Sequence, residues 1–505
     1  MRNLHKINIL SLAMILVALG WSCNEDKILD ITNRNTLNTD LIGEDITIAQ
    51  SLVNGAYSNL QHRGLYGRFG HWLEDHMSDE LQAFTNSADP DIFQISNYSL
   101  VANSTASTEY FRQCYQGIGN CNVVISSESQ FADFDETATS HLLGEARFIR
   151  AYYYFLLVTR FGEVPLVTEP SPEPQPLATS EQVYSLIKAD FKFAAENLPN
   201  RGQQEPGRPT DETAYGFLGK VYLFNQEYDS AMDALNQVTS YSLVPNYIDN
   251  FNVAGEYNAE SLFEIGFDRR VGTQDEAWNS VNGEGGDEIS FRSADYSGWS
   301  NSVPSDKMID EYEPDDPRLE DSWFVEGATY GSSGRIWGVD PDDGGTGFAG
   351  PNPVDDKDLT SKKYSDYLEN DQHAVEGGTN PRILRYADIV LMKAEAELFR
   401  SGGSITQAVS YLNEVRNRPS VMMPNYGTAE MNAIYPVNTQ EEVFTAIVHE
   451  RMIELCLEGK RVVDLQRWGL DLQELPDVKA GYTADKRFFP IPQLEIDSNP
   501  TLGGG

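Results

Sequence analysis

Basic residues are scarce in this chain of 505 residues, which has 37 Lys and Arg against 77 Asp and Glu and a formal net charge of −40. A field of that sign repels phosphate backbones and anionic lipid surfaces. Nucleic acid is therefore excluded as a partner, and a sulfated or uronic-acid polymer is a poor ligand. The charge favours a neutral ligand.

The N-terminus lacks an apolar run long enough to cross a bilayer. The run at residues 7–19 is short and follows Arg2 and Lys6, a pattern typical of a secretory signal peptide, which we place at residues 1–22. Cys23 follows directly and is similar to the lipid-modified first residue of a bacterial lipoprotein, although Gly20 and Trp21 depart from the usual pattern. Residues 24–26 resemble an acidic outer-membrane sorting tag. We expect export, a lipid anchor at Cys23 and exposure on the cell surface, with ordinary cleavage as the alternative.

Cysteine is rare, with four residues in the chain. Cys114 and Cys121 share a predicted helix over residues 109–126, where they are separated by about 10 Å of helix rise, too far for a disulfide. Cys456 has no His placed to activate it, so a core position is favoured over a nucleophile. The sequence predicts three buried thiols after Cys23.

Histidine is also rare, with seven residues. His71 and His76 are five apart, whereas the HExxH zinc motif needs a spacing of four. We therefore interpret the acidic cluster around them as a solvated helix end and predict no metal and no cofactor. The cluster consists of Glu74, Asp75, Asp79 and Glu80.

Helical periodicity is strongest in residues 144–167, GEARFIRAYYYFLLVTRFGEVPLV. Apolar residues recur there at steps of three and four on more than one face, which predicts a helix inside a layer of other helices. Gly162, followed by Pro165, is typical of a helix end. Residues 210–238 and 386–415 each contain a pair of short helices of tetratricopeptide type.

The sequence thus predicts a mainly α fold of tetratricopeptide-like helical pairs in a single domain, residues 23–505. We assign residues 40–259 and 381–470 to the helical scaffold, with residues 441–469 as its last long helical stretch. Residues 260–380 are rich in Gly, Asp, Ser and Pro and are predicted to form a loop-rich insertion. Extended loops are also expected at residues 86–107 and 488–500.

Four blocks of the chain resemble, in this order, the SusD/RagB family of outer-membrane nutrient-binding lipoproteins. They are GEARFIRAYYYFLLVTRFGEVPLV, RYADIVLMKAEAELFRSGG with YLNEVRNR, HERMIELCLEGKRVVDLQRWG, and FFPIPQLEIDSNP. The resemblance implies a SusD-like α-α superhelix with an irregular ligand-binding face. It also implies a partner, a SusC-like TonB-dependent outer-membrane transporter. Ligand residues in this family come from variable loops, so no binding residue carries over.

The ligand-binding residues are instead predicted from their chemistry. Sugars stack on exposed aromatic rings and hydrogen-bond to polar side chains. Trp278 and Trp299 are flanked in the sequence by polar and small residues and have few apolar neighbours to pack against, so we expect them to be exposed. The full predicted site is an aromatic platform of Trp278, Trp299, Tyr296, Trp337 and Trp72, with Asn279, Arg292, Asn301 and Asp295 as polar partners. The ligand expected from the charge and the resemblance is a neutral oligo- or polysaccharide, with a glucan such as the β-glucan laminarin favoured over a mannan.

Two other functions compete with glycan binding. A glycoside hydrolase would need a carboxylate pair such as Glu450 and Glu454, one helical turn apart. Because Arg451, Arg461 and Arg467 lie nearby in the sequence and would hold these carboxylates ionised, we favour a structural ion-pair network and predict no enzymatic activity. A lid protein for peptides or another nutrient is the second alternative.

Overall fold

A computed structural model of the chain describes residues 42–83, 90–171, 173–267, 302–325, 329–330, 335–336, 359–364 and 379–502. Helices dominate this part of the chain, which confirms the predicted fold class. Numbered in chain order, they are α1 Ile46–Gln61, α2 Phe69–Asp75, α3 Pro90–Ser96, α4 Thr105–Ser126, α5 Glu136–Phe161, α6 Ser180–Asn197, α7 Asp211–Phe224, α8 Tyr228–Leu235, α9 Asp306–Glu311, α10 Arg318–Ser322, α11 Tyr386–Phe399, α12 Ile405–Arg416, α13 Gln440–Glu454, α14 Arg461–Trp468, α15 Asp471–Glu474 and α16 Gln493–Ser498.

The described strands form short antiparallel pairs. They are β1 Val164–Pro165 with β2 Leu177–Ala178, β3 Ser261–Glu264 with β8 Arg382–Arg385, β4 Trp323–Phe324 with β7 Thr360–Ser361, and β5 Thr329–Tyr330 with β6 Arg335–Ile336. In the longest pair, Ser261 lies opposite Arg385 and Glu264 opposite Arg382. This pair therefore joins the first residues of the predicted insertion to the scaffold segment that follows the insertion, although the division into scaffold and insertion itself stays a prediction.

Helix α5 is the centre of the helical packing. The Asp135 side chain caps its N-terminus by accepting a hydrogen bond from the Ala138 N–H at 2.9 Å, and the helix ends at Gly162, where φ is 72°. Residues such as Phe148 and Tyr153 are buried on different faces, because α4 packs on one side of α5 and α6 on the other. The predicted helix within a layer of helices is confirmed.

The remaining helices continue this layer as stacked pairs. α1 packs on α4, and α6 leads through α7 and α8 to α11, on which α12 and α13 pack. The predicted tetratricopeptide-like pairs are confirmed as α7 with α8 and α11 with α12. Cys114, Cys121 and Cys456 are buried free thiols, as predicted.

Three predicted segments differ from the structure. The predicted loop at residues 86–107 contains α3, whose Ile92 and Ile95 are buried, and the predicted extended tail contains α16. Residues 302–325 of the predicted insertion include two short helices, α9 and α10, and a fully buried Trp323. In α3 and in residues 302–325, buried apolar side chains such as Ile92, Met308 and Trp323 stabilise these short elements, and such contacts leave no periodic pattern in the sequence.

The long helix predicted at residues 441–469 is divided into α13 and α14. Between them Leu457 and Gly459 have positive φ values of 59° and 72°. A side chain at Gly459 would be both strained and crowded, because φ is positive there and an added β-carbon would lie 2.9 Å from the β-carbon of Glu74. The backbone N–H of Gly459 donates to Asp75 at 2.7 Å, so the break is fixed by carboxylates of α2.

Candidate functional site

The predicted ligand-binding residues fall almost entirely outside the part of the chain that the structure describes. This holds for Trp278, Trp299, Tyr296, Trp337, Asn279, Arg292, Asn301 and Asp295, which stay predictions. Trp72 is the exception, and for this residue the prediction is wrong. Its side chain is 4% exposed, because α2 is buried along its whole length, and its ring contacts Phe69 edge-on at 6.3 Å with the Arg68 guanidinium 4.7 Å away.

Two stretches of chain that adjoin predicted loop segments lie side by side in the structure. Leu81 forms an antiparallel bridge with Pro304, and the Gln82 N–H donates to the carbonyl of Val303 at 3.0 Å. Beyond this bridge the chain continues into residues 84–89 on one side and back into residues 268–301 on the other. The start of the 86–107 segment and the C-terminal end of residues 268–301, which carry Trp278 and Trp299, therefore connect to the scaffold at the same bridge.

Buried ion pairs hold the Leu81–Pro304 bridge in position. The Asp79 carboxylate pairs with Arg461 at 2.8 Å and with Lys307 at 2.7 Å. Burial alone would raise the pKa of Asp79, but the two cations outweigh it and lower the pKa to about 2. Glu80 accepts a hydrogen bond from the Leu457 N–H, which ties the bridge to the α13–α14 break.

The acidic cluster around His76 is therefore not the solvated helix end that the sequence predicts. Glu74, Asp75, Asp79 and Glu80 are all less than 10% exposed. The Gly459 N–H that binds Asp75 and the Arg461 guanidinium that binds Asp79 come from residues 384 and 382 positions later, which sequence spacing cannot reveal. Within the described ranges, no cluster of His, Cys, Asp and Glu has the arrangement of a metal site.

A polar groove of about 660 Å³ opens beside the Leu81–Pro304 bridge. Its lining includes Gln82, Ala83, Asp306, Lys307, Gln473 and Asp477, and the lining residues that the structure describes include no aromatic side chain. Beneath it the Lys479 ammonium donates to the Gln82 carbonyl at 3.0 Å, and burial lowers the Lys479 pKa to about 7. The groove offers amide, carboxylate and ammonium groups for hydroxyls, while stacking would require rings from other residues.

Glu450 and Glu454 form the buried ion-pair network that the sequence predicts. Both are fully buried, and Arg318 Nη1 lies between them, 2.6 Å from Glu450 Oε1 and 3.1 Å from Glu454 Oε2. The arginines outweigh the effect of burial and lower the pKa of both carboxyls, that of Glu454 to about 2. A general acid needs the opposite shift, so this pair does not suit glycoside hydrolysis.

The partners of this pair differ from those predicted. Besides Arg318, Glu450 pairs with Arg416, and Glu454 pairs with Arg385 and Arg418. Arg451 instead pairs with Asp388 and Asp464, and Arg467 with Glu395 and Asp464; Arg461 pairs with Asp79. Arg451, Arg461 and Arg467 thus bind carboxylates other than Glu450 and Glu454, although they lie near that pair in the sequence.

Two family models match the chain. The model described as "SusD family" matches residues 259–503, and the one described as "Starch-binding associating with outer membrane" matches residues 27–223. No helix in the described part of the chain combines the length and hydrophobicity that a bilayer crossing demands.

Known proteins align with nearly the whole chain. "SusD-like protein P2" of Formosa agariphila is 26% identical over 549 aligned positions, covering 99% of each chain. A SusD superfamily protein of Bacteroides vulgatus has a TM-score of 0.74 at 26% identity, covering 91% of this chain and 98% of its own. A structure described as a laminarin-binding SusD-like protein has a TM-score of 0.73 at 25% identity, covering 90% and 97%.

These matches extend over both halves of the helical scaffold and the segments between them. The members of the matched family bind carbohydrate and are not enzymes, which agrees with the low pKa values at Glu450 and Glu454. The chain belongs to the SusD/RagB family.

Proposed function

We propose that this protein is a cell-surface lipoprotein that captures a neutral oligo- or polysaccharide and delivers it to a SusC-like TonB-dependent transporter. The family supports glycan binding, and the laminarin-binding relative supports a β-glucan as the ligand. The net charge of −40 also disfavours anionic polymers.

The observation that carries this proposal is the polar groove beside Gln82 and Lys307. It borders the bridge that connects to the 86–107 segment on one side and to residues 268–301, which carry Trp278 and Trp299, on the other. The groove supplies hydrogen-bonding groups, and Trp278 and Trp299 would supply the stacking surface that its described lining lacks.

Replacing Trp278 or Trp299 by Ala should weaken binding of laminarihexaose by about tenfold or more, since an aromatic anchor removed from a binding hot spot costs about 2 kcal/mol. The melting temperature should hardly change, because a Trp outside the helical core contributes little to folding. Calorimetric titration and thermal unfolding measure the two quantities.

Phe488→Ala is the matched control, since this ring is 44% exposed and belongs to the C-terminal segment. Its affinity should equal that of the wild type. Trp variants that lose thermal stability but keep their affinity would show that these residues are core, and the site would then be sought in residues 86–107. Retardation of the wild type only by alginate or a sulfated polymer, in affinity electrophoresis, would contradict a neutral ligand.

Cys23→Ala should release the protein from the membrane in soluble form. Cys23 and residues 1–22 lie outside the described residues, so the lipid anchor rests on the sequence pattern. Fractionation of cells that lack the transporter, with protease treatment of whole cells expressing the wild type, measures anchoring and surface exposure. Continued membrane attachment of the variant in those cells would refute the anchor.

A further inference from the structure

A cleft of about 280 Å³ lies between α1, the loop at residues 205–208 and the end of β3. Its volume is near the lower end of small-molecule sites, which are about 300–1,000 Å³. Tyr257, one of the few large apolar side chains in the described residues with considerable exposure, is 40% exposed at its rim. The cleft residues used below are Asn54, Gln61, Glu205, Gly207, Arg208, Tyr257 and Gly266.

The backbone of Tyr257 is held in an unusual conformation. Its φ is 53°, in the left-handed region that residues other than glycine rarely adopt. The Tyr257 N–H donates to Glu264 Oε1 at 2.8 Å, and Asn380 Nδ2 donates to the other oxygen of Glu264 at 3.0 Å. Strained residues of this kind persist where the surroundings fix them, and they are enriched at ligand sites.

Two glycines leave room for the Tyr257 ring. A β-carbon on Gly207 would lie 3.3 Å from the ring, and one on Gly266 would lie 3.1 Å from its hydroxyl. Gly207 also has a φ of 88°, so a side chain there would be strained as well as crowded. The Tyr257 ring therefore packs against Gly207 and Gly266, while much of it remains open to solvent.

The polar groups of the cleft are oriented but not strongly cationic. Arg208 pairs with Glu145 at 3.0 Å and donates to Asn54 Oδ1 at 3.1 Å, and its Nε lies 3.4 Å from Glu205. Gln61 is fixed by donating to the Gly266 carbonyl. Because two carboxylates accompany the single guanidinium, the cleft disfavours an anion.

We infer that this cleft is a binding subsite for one neutral hexopyranose unit, with Tyr257 stacking on the sugar and Asn54, Glu205 and Arg208 contacting its hydroxyls. An exposed ring can stack on the apolar C–H face of a pyranose, and the fixed polar groups can hydrogen-bond to its hydroxyls, while the excess of carboxylates disfavours an anionic sugar. The inference rests on the proposed function, to which it adds a set of residues that the sequence did not indicate.

The test compares Tyr257→Asn with Tyr257→Phe. Asn tolerates the left-handed conformation but lacks the ring, whereas Phe keeps the ring and loses only the hydroxyl. In calorimetric titrations with laminarihexaose, Tyr257→Asn should weaken binding by about fivefold or more and Tyr257→Phe should stay within about twofold of the wild type. The melting temperature of Tyr257→Asn should remain close to that of the wild type.

The possible failures can be told apart. If Trp278→Ala or Trp299→Ala weakens laminarihexaose binding but Tyr257→Asn does not, the cleft is not a sugar-binding subsite, and the proposed function is unaffected. Equal loss of affinity in Tyr257→Phe and Tyr257→Asn would overturn stacking as the role of the ring. Absence of laminarihexaose binding by the wild type, together with no binding to other neutral oligosaccharides, would overturn the proposed function and the cleft with it.

Discussion

Glu454→Gln should lower the free energy of unfolding by about 3–5 kcal/mol, the cost of removing one partner from a buried ion pair. The Glu454 carboxylate is fully buried and accepts hydrogen bonds from Arg385 at 2.7 Å, Arg418 at 2.8 Å and Arg318 at 3.1 Å. Glutamine keeps the volume but removes the charge, so the buried guanidinium groups lose compensation. Urea denaturation followed by circular dichroism measures the change.

Glu441→Gln is the matched control, because Glu441 lies exposed in the first turn of the same helix α13. Its effect should stay within about 1 kcal/mol, the usual size of an exposed charge at a helix N-terminus. Equal losses in the two variants, or no loss in Glu454→Gln, would contradict a stabilising role for the buried cluster.

The pH dependence of the same variant gives a second readout. The arginines lower the folded-state pKa of Glu454 from 4.5 to about 2, against the opposing effect of burial. Since the folded pKa is below the unfolded value, this stabilisation is present above about pH 4.5 and is lost as the pH falls toward 2. The gap in unfolding free energy between wild type and Glu454→Gln should therefore narrow across that window. A gap as large at the acid end of the window as at neutral pH would contradict the low pKa.

The helical scaffold could be predicted because its signals are local. Residues 144–161 carry their apolar positions at helical spacing, and Gly162 ends the helix with the positive φ that its sequence position suggested. The pairs α7 with α8 and α11 with α12 also have short loops between strongly periodic helices. Such patterns depend on residues within one or two turns of each other.

The existence of a buried ion-pair network could be predicted from the sequence, but the pairing of its residues could not. The arginines that lie near Glu450 and Glu454 in the sequence indicated a network, but Arg385 and Arg318 reach Glu454 from 69 and 136 residues away. The same limitation explains the acidic cluster, which resembles a solvated helix end until its partners near residue 460 are brought against it. A single sequence does not show which distant charges meet.

The candidate site was the hardest part to predict. Trp72 lies beside the acidic cluster that was interpreted as a solvated helix end, yet every residue of the helix that carries it is buried. The cleft residues Asn54, Arg208 and Tyr257 come from three separate segments, so no motif joins them. One available signal was the polar flank of Tyr257, between Glu256 and Asn258, which is the criterion that selected Trp278 and Trp299.

Phe148→Ala should lower the free energy of unfolding by about 3–5 kcal/mol, the range for truncating a buried Phe. The Phe148 ring is fully buried at the point where α5, α6, α7 and β3 meet. It packs edge-to-face on Phe191 and Phe217 at 5.4 Å and on Phe263 at 5.2 Å between ring centroids. The truncation removes the apolar contacts of the ring and leaves a cavity that four elements would have to collapse to fill.

Phe488→Ala again serves as the control, because the same atoms are removed from a ring that is 44% exposed. Its effect should be about 1 kcal/mol or less, since little apolar surface is returned to water. Denaturant titration of both variants measures the difference between the two sites. If Phe148→Ala lowers the free energy of unfolding no more than Phe488→Ala does, the junction of α5, α6, α7 and β3 must repack around the missing ring. The contacts of Phe148 would then not be needed to hold β3 against the helical layer.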